Sequence, residues 1–311
     1  AALMALAEPG EKIMGLRLSG GGHLTHGHPK ITFSGKYYQS VQYDVNEDGW
    51  IDYDEVERLA RQEKPKVIIA GTTAYPRILD FEKFANIARG VGAYLLADIS
   101  HIAGLVVAGT HPSPVGFADV IMTTTHKTLR GPRGAILMTD REELAKKVDR
   151  AVFPGLQGGP HNSTTAAIAV ALAEAGTPGF KKYGEQIVKN AKTLSEELFK
   201  LGLKLTTGGT DNHLMVVNLG GDGKAVAMAL EEAGIIVNYN AVPHDTNPPA
   251  SPSGIRLGTP AVTTRGMKGE EMITIAKCIY EVITKKQGTS VQAVRKQVEE
   301  LCRKFPVPQY E

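Results

Sequence analysis

VIIAGTTAYPRILDFEKFANIARGVGAYLLAD, residues 67–98, opens and closes on short apolar runs with an amphipathic stretch between them. Val67–Gly71 and Ala93–Asp98 read as strands buried on both faces, because neither alternates with polar residues. Asp80–Val91 reads as an amphipathic helix. Strand, helix and strand in succession are the building unit of an α/β domain with a mainly parallel sheet.

The same alternation extends in both directions. Further strands are expected at Lys12–Leu18, Tyr37–Val45, Val120–Thr124 and Gly134–Met138, and further helices at Asp52–Gln62 and Glu142–Ala151. A Gly/Pro-rich loop, Phe153–Pro160, interrupts the pattern. A long helical stretch then covers Ala166–Ala175, breaks at Gly176–Gly179 and resumes to about Leu201. Beyond it lies a smaller α/β unit. Its strands are expected at Lys204–Thr206, Leu214–Asn218, Ile235–Asn238 and Gly254–Leu257, its helices at Lys224–Ala233, Lys268–Lys286 and Val291–Phe305. The expected division is a large domain over 1–180 and a small C-terminal domain over 181–311.

Composition narrows the class. The 311 residues are 42% hydrophobic and 22% charged, as in ordinary globular proteins. A net charge of +2 from 35 basic and 33 acidic residues lacks the bias of a nucleic-acid binder. No apolar run approaches the roughly 20 residues that span a bilayer. Cys278 and Cys302 form no CxxC pair or disulfide framework, so a cytoplasmic location is expected. Ala1–Ala7 (AALMALA) reads as the second half of a buried helix, which leads us to expect further residues upstream.

Ligands of open α/β sheets bind outside the carboxyl ends of the strands. Three such ends carry reactive residues: Thr72 and Thr73 after VIIAG, Asp98 with Ser100 and His101 after AYLLAD, and Thr123–Lys127 after the VIM strand. A lysine amine and a carboxylate on separate strand ends suit pyridoxal 5'-phosphate (PLP), which needs a Schiff-base lysine and a carboxylate facing its pyridine nitrogen. Either residue alone is more often a solvated surface group. Arg256 in SPSGIRLGTP could bind a carboxylate through its fork or serve an ordinary ion pair.

Two segments invite metal readings. Gly20–His28 (GGGHLTHGH) holds three histidines, but no cysteine or acidic neighbour completes a shell. Its glycines could instead admit a flat ligand with one histidine stacked on it. Asp44–Glu55 (DVNEDGWIDYDE) fits the EF-hand loop pattern in full. The preceding KYYQSVQY is β-prone rather than helical, which favours a turn followed by a helix capped at Asp52, with Glu55 completing a capping box. No metal site is expected.

The ordered set GGHLTHG, FSGKYY, DISHIAGL, TTTHKTLRGPRG, FPGLQGGP, GGTDNHL and SGIRLGTPA resembles the signatures of the serine hydroxymethyltransferases, across essentially the whole chain. The resemblance implies a fold-type-I PLP-dependent transferase that interconverts serine and glycine, with tetrahydrofolate carrying the one-carbon unit. By position, Lys127 would hold PLP as the Schiff-base lysine. Asp98 would pair with the pyridine nitrogen, His23 would stack on the ring, and His101 and Thr73 would lie near the phenolic oxygen. His126 would bind the phosphate, and Thr124 would influence exchange at the lysine. Arg256 would take the substrate carboxylate. Leu18, Gly22, His23, Leu24 and Asn240 would line the folate pocket. Gly158 and Gly159 would reach the phosphate in a neighbouring subunit, which implies a homodimer or homotetramer. His26 and His28 then lose their appeal as metal ligands. Thr73 stands where the family often has Ser. The family also carries a phosphate-binding Ser-Gly-Ser segment, a glutamate acid/base and interface tyrosines upstream of the helix resembling Ala1–Ala7. Residues 1–311 alone are therefore expected to cleave little serine. A non-catalytic paralogue or partner subunit shares these motifs. A threonine-aldolase-like PLP enzyme is disfavoured by GGHLTHG and Asn240, and a calcium-binding module is the remaining alternative.

Overall fold

The computed structural model of the chain describes residues 1–29, 31–285 and 288–309. They form two compact units. The first comprises Ala1–Asn46, Ile51–Thr73 and Ile78–Lys181, the second Glu47–Trp50, Ala74–Arg77 and Lys182–Glu311.

In the first unit, α1 (Ala2–Leu6) leads into β1 (Lys12–Leu16), α2 (Phe33–Tyr37), β2 (Gln39–Tyr43), α3 (Tyr53–Glu63), β3 (Val67–Gly71) and α4 (Phe81–Val91). Then follow β4 (Tyr94–Asp98), α5 (Ala103–Val107), β5 (Val120–Thr124), β6 (Ala135–Met138), α6 (Glu142–Arg150) and α7 (Asn162–Ala175). The six strands lie in the order β2-β1-β3-β4-β5-β6, all parallel except β6. Every residue of β3 is buried, which is why its sequence is apolar without alternation. On one face Ile13, Val67, Ile69, Leu96 and Val120 pack with Ala5 and Leu6 of α1 and Leu144 and Val148 of α6. On the other, Tyr43 lies 5.9 Å from Phe84 of α4, which also meets Tyr53 of α3 at 5.2 Å between ring centroids. Each fully buried side chain of this kind stabilises the fold by about 1.5–3 kcal/mol. Asp80 caps α4 through Lys83 N, and Asp52 caps α3 through Asp54 N and Glu55 N. Glu55 turns to Arg58 instead of closing a capping box.

α8 (Pro178–Lys200) leads into the second unit: β7 (Lys204–Leu205), β8 (Leu214–Asn218), α9 (Gly223–Glu232), β9 (Asn238–Asn240), β10 (Gly254–Gly258), α10 (Pro260–Thr264), α11 (Gly269–Lys285) and α12 (Gly288–Lys304). Its antiparallel sheet runs β7-β8-β10-β9. Met215, Val217, Ile255 and Leu257 pack against Leu194 and Leu198 of α8, Leu230 of α9 and Met272 and Ile279 of α11.

Several expected boundaries move, among them Lys12–Leu18, which ends at Leu16, and Ala166–Ala175, which starts at Asn162. Tyr37–Val45 is not one strand: Thr32 caps α2 by accepting from Gly35 N, and Phe33 stacks on Tyr37 one turn later at 4.5 Å. Helical i,i+4 stacking thus outweighs the β-preference of the tyrosines. The break before α8 narrows to Gly176–Thr177, because Pro178 occupies a first-turn position where it lacks no needed donor. Ile235–Asn238 is not the strand. Gly234 (φ 84°) closes α9, Ile235 N returns to Leu230 O, and pairing with β10 starts only at Asn238. The helix expected at Lys268–Lys286 is seen to Lys285; Lys286 lies outside the described residues.

Candidate active site

Parallel pairing brings the carboxyl ends of β3, β4 and β5 side by side, with Gly71 opposite Asp98 and Asp98 opposite Met122. Asp98 is 7% exposed, and its Oδ2 lies 2.8 Å from Nε2 of His26, itself 3% exposed. Ser100 N donates to Asp98 Oδ1 at 3.0 Å, while Ser100 Oγ accepts from Thr124 N at 3.0 Å and so ties the ends of β4 and β5 together. Gly71 makes room for the pair: a Cβ there would press on Asp98 Cβ and His26 Cε1. Burial pushes the Asp98 carboxyl up, but hydrogen bonding and charge from His26, with the Ser100 donors, hold it well below the usual carboxylate range. Asp98 is thus a buried carboxylate kept ionised.

Lys127 rides on the loop between β5 and β6. Thr125 cinches that loop: its N donates to Gly134 O, its carbonyl accepts from Gly131 N, and its Oγ1 donates to Pro132 O at 2.6 Å. Within it Arg130 N returns to Lys127 O, with Arg130 at φ 60°. Thr128 pins the loop to the segment after β4, its Oγ1 donating to His101 O at 2.9 Å and accepting from Gly104 N at 3.0 Å. An added Cβ on Gly104 would overlap the Thr128 carbonyl, so glycine is required for that approach. Lys127 and His101 are half-buried.

The turn after β1 brings in the rest. His23 Nδ1 accepts from Thr25 N at 3.2 Å, and its ring lies 5.6 Å from that of His26. His23, His26 and Asp98 therefore form a continuous file. Thr73 N donates to Gly21 O at 2.7 Å. At Gly22 a Cβ would overlap Leu16 O, while Leu18 and Leu24 are half-buried in the same turn. Gly158 and Gly159 are exposed, with open space where a Cβ would stand. A cavity of about 1330 Å³ opens beside Asp98, His26 and Thr124 and extends to α1 and α6.

The second unit carries Arg256 and Asn240. Arg256, on β10, pairs with Val216 and Asn238 and donates from Nε to Asn238 Oδ1 at 3.1 Å. Burial lowers the pKa of its guanidinium, which raises the gain from an anionic partner. Asn240, on β9, stands opposite Gly254.

Sequence reasoning sets His26 aside and names Ser100 at the strand end without giving it a role. His26 lies 72 positions from Asp98, and no spacing rule links residues that far apart. Ser100, two residues beyond Asp98, is where a side-chain-to-backbone turn is common and was open to prediction. The segment with the EF-hand pattern spends its acidic groups locally: Asp44 accepts from Val45 N and pairs with Arg17 at 3.3 Å, Asp52 caps α3, and Glu55 holds Arg58.

The strand-end group fits PLP. Thr124 Oγ1 and His126 Nδ1 are buried with no hydrogen-bond partner among the described residues, a costly state that the polar groups of a bound cofactor would relieve. Burial, with the Arg133 and Lys127 charges, lowers the pKa of His126, so these neutral groups sit in positive surroundings. The ionised Asp98 suits a pyridinium nitrogen.

Comparison with known proteins agrees. A family profile described as serine hydroxymethyltransferase matches residues 1–279. A serine hydroxymethyltransferase of Acidothermus cellulolyticus is 58% identical over 316 residues, covering 98% of this chain and 74% of that protein. The enzyme of the same name from Desulfotalea psychrophila is 52% identical, over 99% of this chain and 73% of that protein. One from Sorangium cellulosum is 54% identical. The chain belongs to the serine hydroxymethyltransferase family of PLP-dependent transferases.

Proposed function

We propose that the strand-end site interconverts serine and glycine with tetrahydrofolate as the one-carbon carrier. The observation that carries this reading is the juxtaposition of the cinched Lys127 loop with the ionised Asp98–His26 pair on neighbouring strand ends. When bound, PLP supplies the electron sink for cleavage at the substrate's α-carbon. Lys127 anchors it. Asp98 accepts from its ring nitrogen, and His26 keeps that carboxylate charged and oriented. His23 would stack on the ring. His126 would bind the phosphate, Thr124 would influence exchange at Lys127, and His101 and Thr73 would lie near the phenolic oxygen. Arg256 binds the amino-acid carboxylate. Leu18, Gly22, His23, Leu24 and Asn240 line the folate side. Asp98, being committed to His26, does not serve as the acid/base.

We propose a homodimer as the working form. α7 (NSTTAAIAVALAEA) is apolar almost all round, yet Val170 is 60% and Leu172 43% exposed. A helix of that composition calls for burial. Gly158 and Gly159, on the loop before it, would then approach the partner's cofactor phosphate. A cytoplasmic location fits the two unpaired cysteines. Among the described residues no helix is long and apolar enough to cross a membrane.

The test is direct. The chain is saturated with PLP, reduced with borohydride and digested. Cofactor fixed on the peptide carrying Lys127 supports the assignment; an unmodified Lys127 overturns it. Lys127→Arg should lose the visible absorption band and lower serine cleavage by about a thousandfold or more.

A further inference from the structure

We infer that Asn238 is a positioning residue for Arg256 and thereby sets the selectivity of the site for amino acids bearing an α-carboxylate. The inference rests on the reading of Arg256 as the carboxylate-binding residue.

Strand geometry supplies the first part. Ile255 and Leu257 are buried in the second unit's core, so alternation turns Arg256 to the opposite face of β10. Asn238 is its cross-strand partner on β9 and shares that face; Asn240, two residues on, does the same opposite Gly254. The carboxylate candidate and the folate candidate thus belong to one face of one strand pair, with Asn238 joining them.

Hydrogen-bond polarity supplies the second part. Arg256 Nε–H can only donate, so the atom 3.1 Å from it must be the carbonyl oxygen of the Asn238 amide. The other end of that amide is fixed as well: Asn238 Nδ2 donates to Tyr239 O at 3.2 Å. The amide therefore has one orientation, and it offers an acceptor to the guanidinium without adding a charge.

The consequence is geometric. A carboxylate can meet an arginine along the edge formed by Nε and one Nη, or along the edge formed by the two Nη nitrogens. With Nε engaged by Asn238, that edge of the guanidinium is tied to β9, which fixes the plane in which Arg256 meets a carboxylate. A neutral acceptor is essential here. An aspartate at 238 would keep the hydrogen bond but would neutralise the charge that the substrate carboxylate needs. Orientation of a long, flexible side chain by one fixed acceptor lowers the entropy lost when the ligand binds.

The test uses the PLP-loaded full chain and calorimetric titration with glycine and with methylamine, which lacks the carboxylate. Asn238→Ala should weaken glycine about tenfold, Asn238→Asp should weaken it further, and methylamine should change by less than about twofold in both. Asn238→Ser, which can restore a neutral acceptor, should recover part of the loss. Glycine binding unchanged in Asn238→Ala, or equal weakening of methylamine, overturns the positioning role. Arg256→Ala separates the two ideas. If that variant, measured beside the others, binds glycine as the parent does, or if the parent binds none, the reading of Arg256 itself is overturned.

Discussion

Asp98 occupies surroundings that oppose its charge, and His26 is what reverses the outcome. The folded carboxyl titrates below its ordinary value of about 3.9. Its stabilising contribution is therefore complete above that value and lost as the pH falls through the folded one. Without His26, burial becomes the dominant influence, the folded pKa rises above the ordinary value, and the loss begins nearer neutrality. We expect His26→Phe to cost about 3 kcal/mol at pH 7, the usual consequence of leaving one member of a buried pair alone. Urea unfolding measured from pH 4 to 8 should show the acid limb displaced upward. An acid limb that coincides with the parent's would show that His26 does not control Asp98. The motif Gly21–Gly27 was legible in the sequence, yet the motif pointed to His23, and the role of His26 emerged only from its contact across the sheet.

Between β5 and β6, the loop that carries Lys127 is held by side-chain hydroxyls more than by apolar contact. Thr128 is 2% exposed and makes two of these bonds. Thr128→Val keeps the shape and removes both, leaving Gly104 N without its acceptor. Its expected cost is about 2–3 kcal/mol in stability. We also expect weaker PLP retention, read by dialysis against buffer and residual absorbance. Full retention would assign the hydroxyl a purely structural part. The strands at 67–71 and 120–124 match the sequence reading to the residue; at 67–71 burial on both faces leaves an unbroken apolar run. α2 and β9 were misread because local preference and tertiary pairing conflict there. In α2 a Thr32 cap and ring stacking favour the helix, and in β9 the partner strand β10 decides which residues pair.

In the proposed homodimer, assembly and cofactor binding would meet at α7. One side of that helix lies against the Lys127 loop: Cβ atoms added at Gly131 and Gly134 would press on Ala171 and Ile168. Its remaining surface carries Val170 and Leu172. A charge placed there should oppose association and loosen the loop together. We expect Val170→Glu to be monomeric by sedimentation at concentrations where the parent is dimeric. It should also bind PLP about tenfold more weakly, while unfolding within about 1 kcal/mol of the parent monomer. A dimeric Val170→Glu would remove α7 from the interface.

Alternation of apolar runs and amphipathic helices sufficed to recognise a mainly parallel sheet, and strand-end placement made Lys127 a candidate beside Asp98, which only the resemblance of its loop to the family's signatures raised to the cofactor lysine. Both are local properties, written in periods of two and 3.6 residues and in the chemistry of single side chains. The engagement of Asp98 by His26, the lacing of β4 to β5 through Ser100 and the orientation of Arg256 by Asn238 join residues distant in the chain or on different strands. Their energies depend on burial and on donor–acceptor geometry, which exist only once the strands are in register.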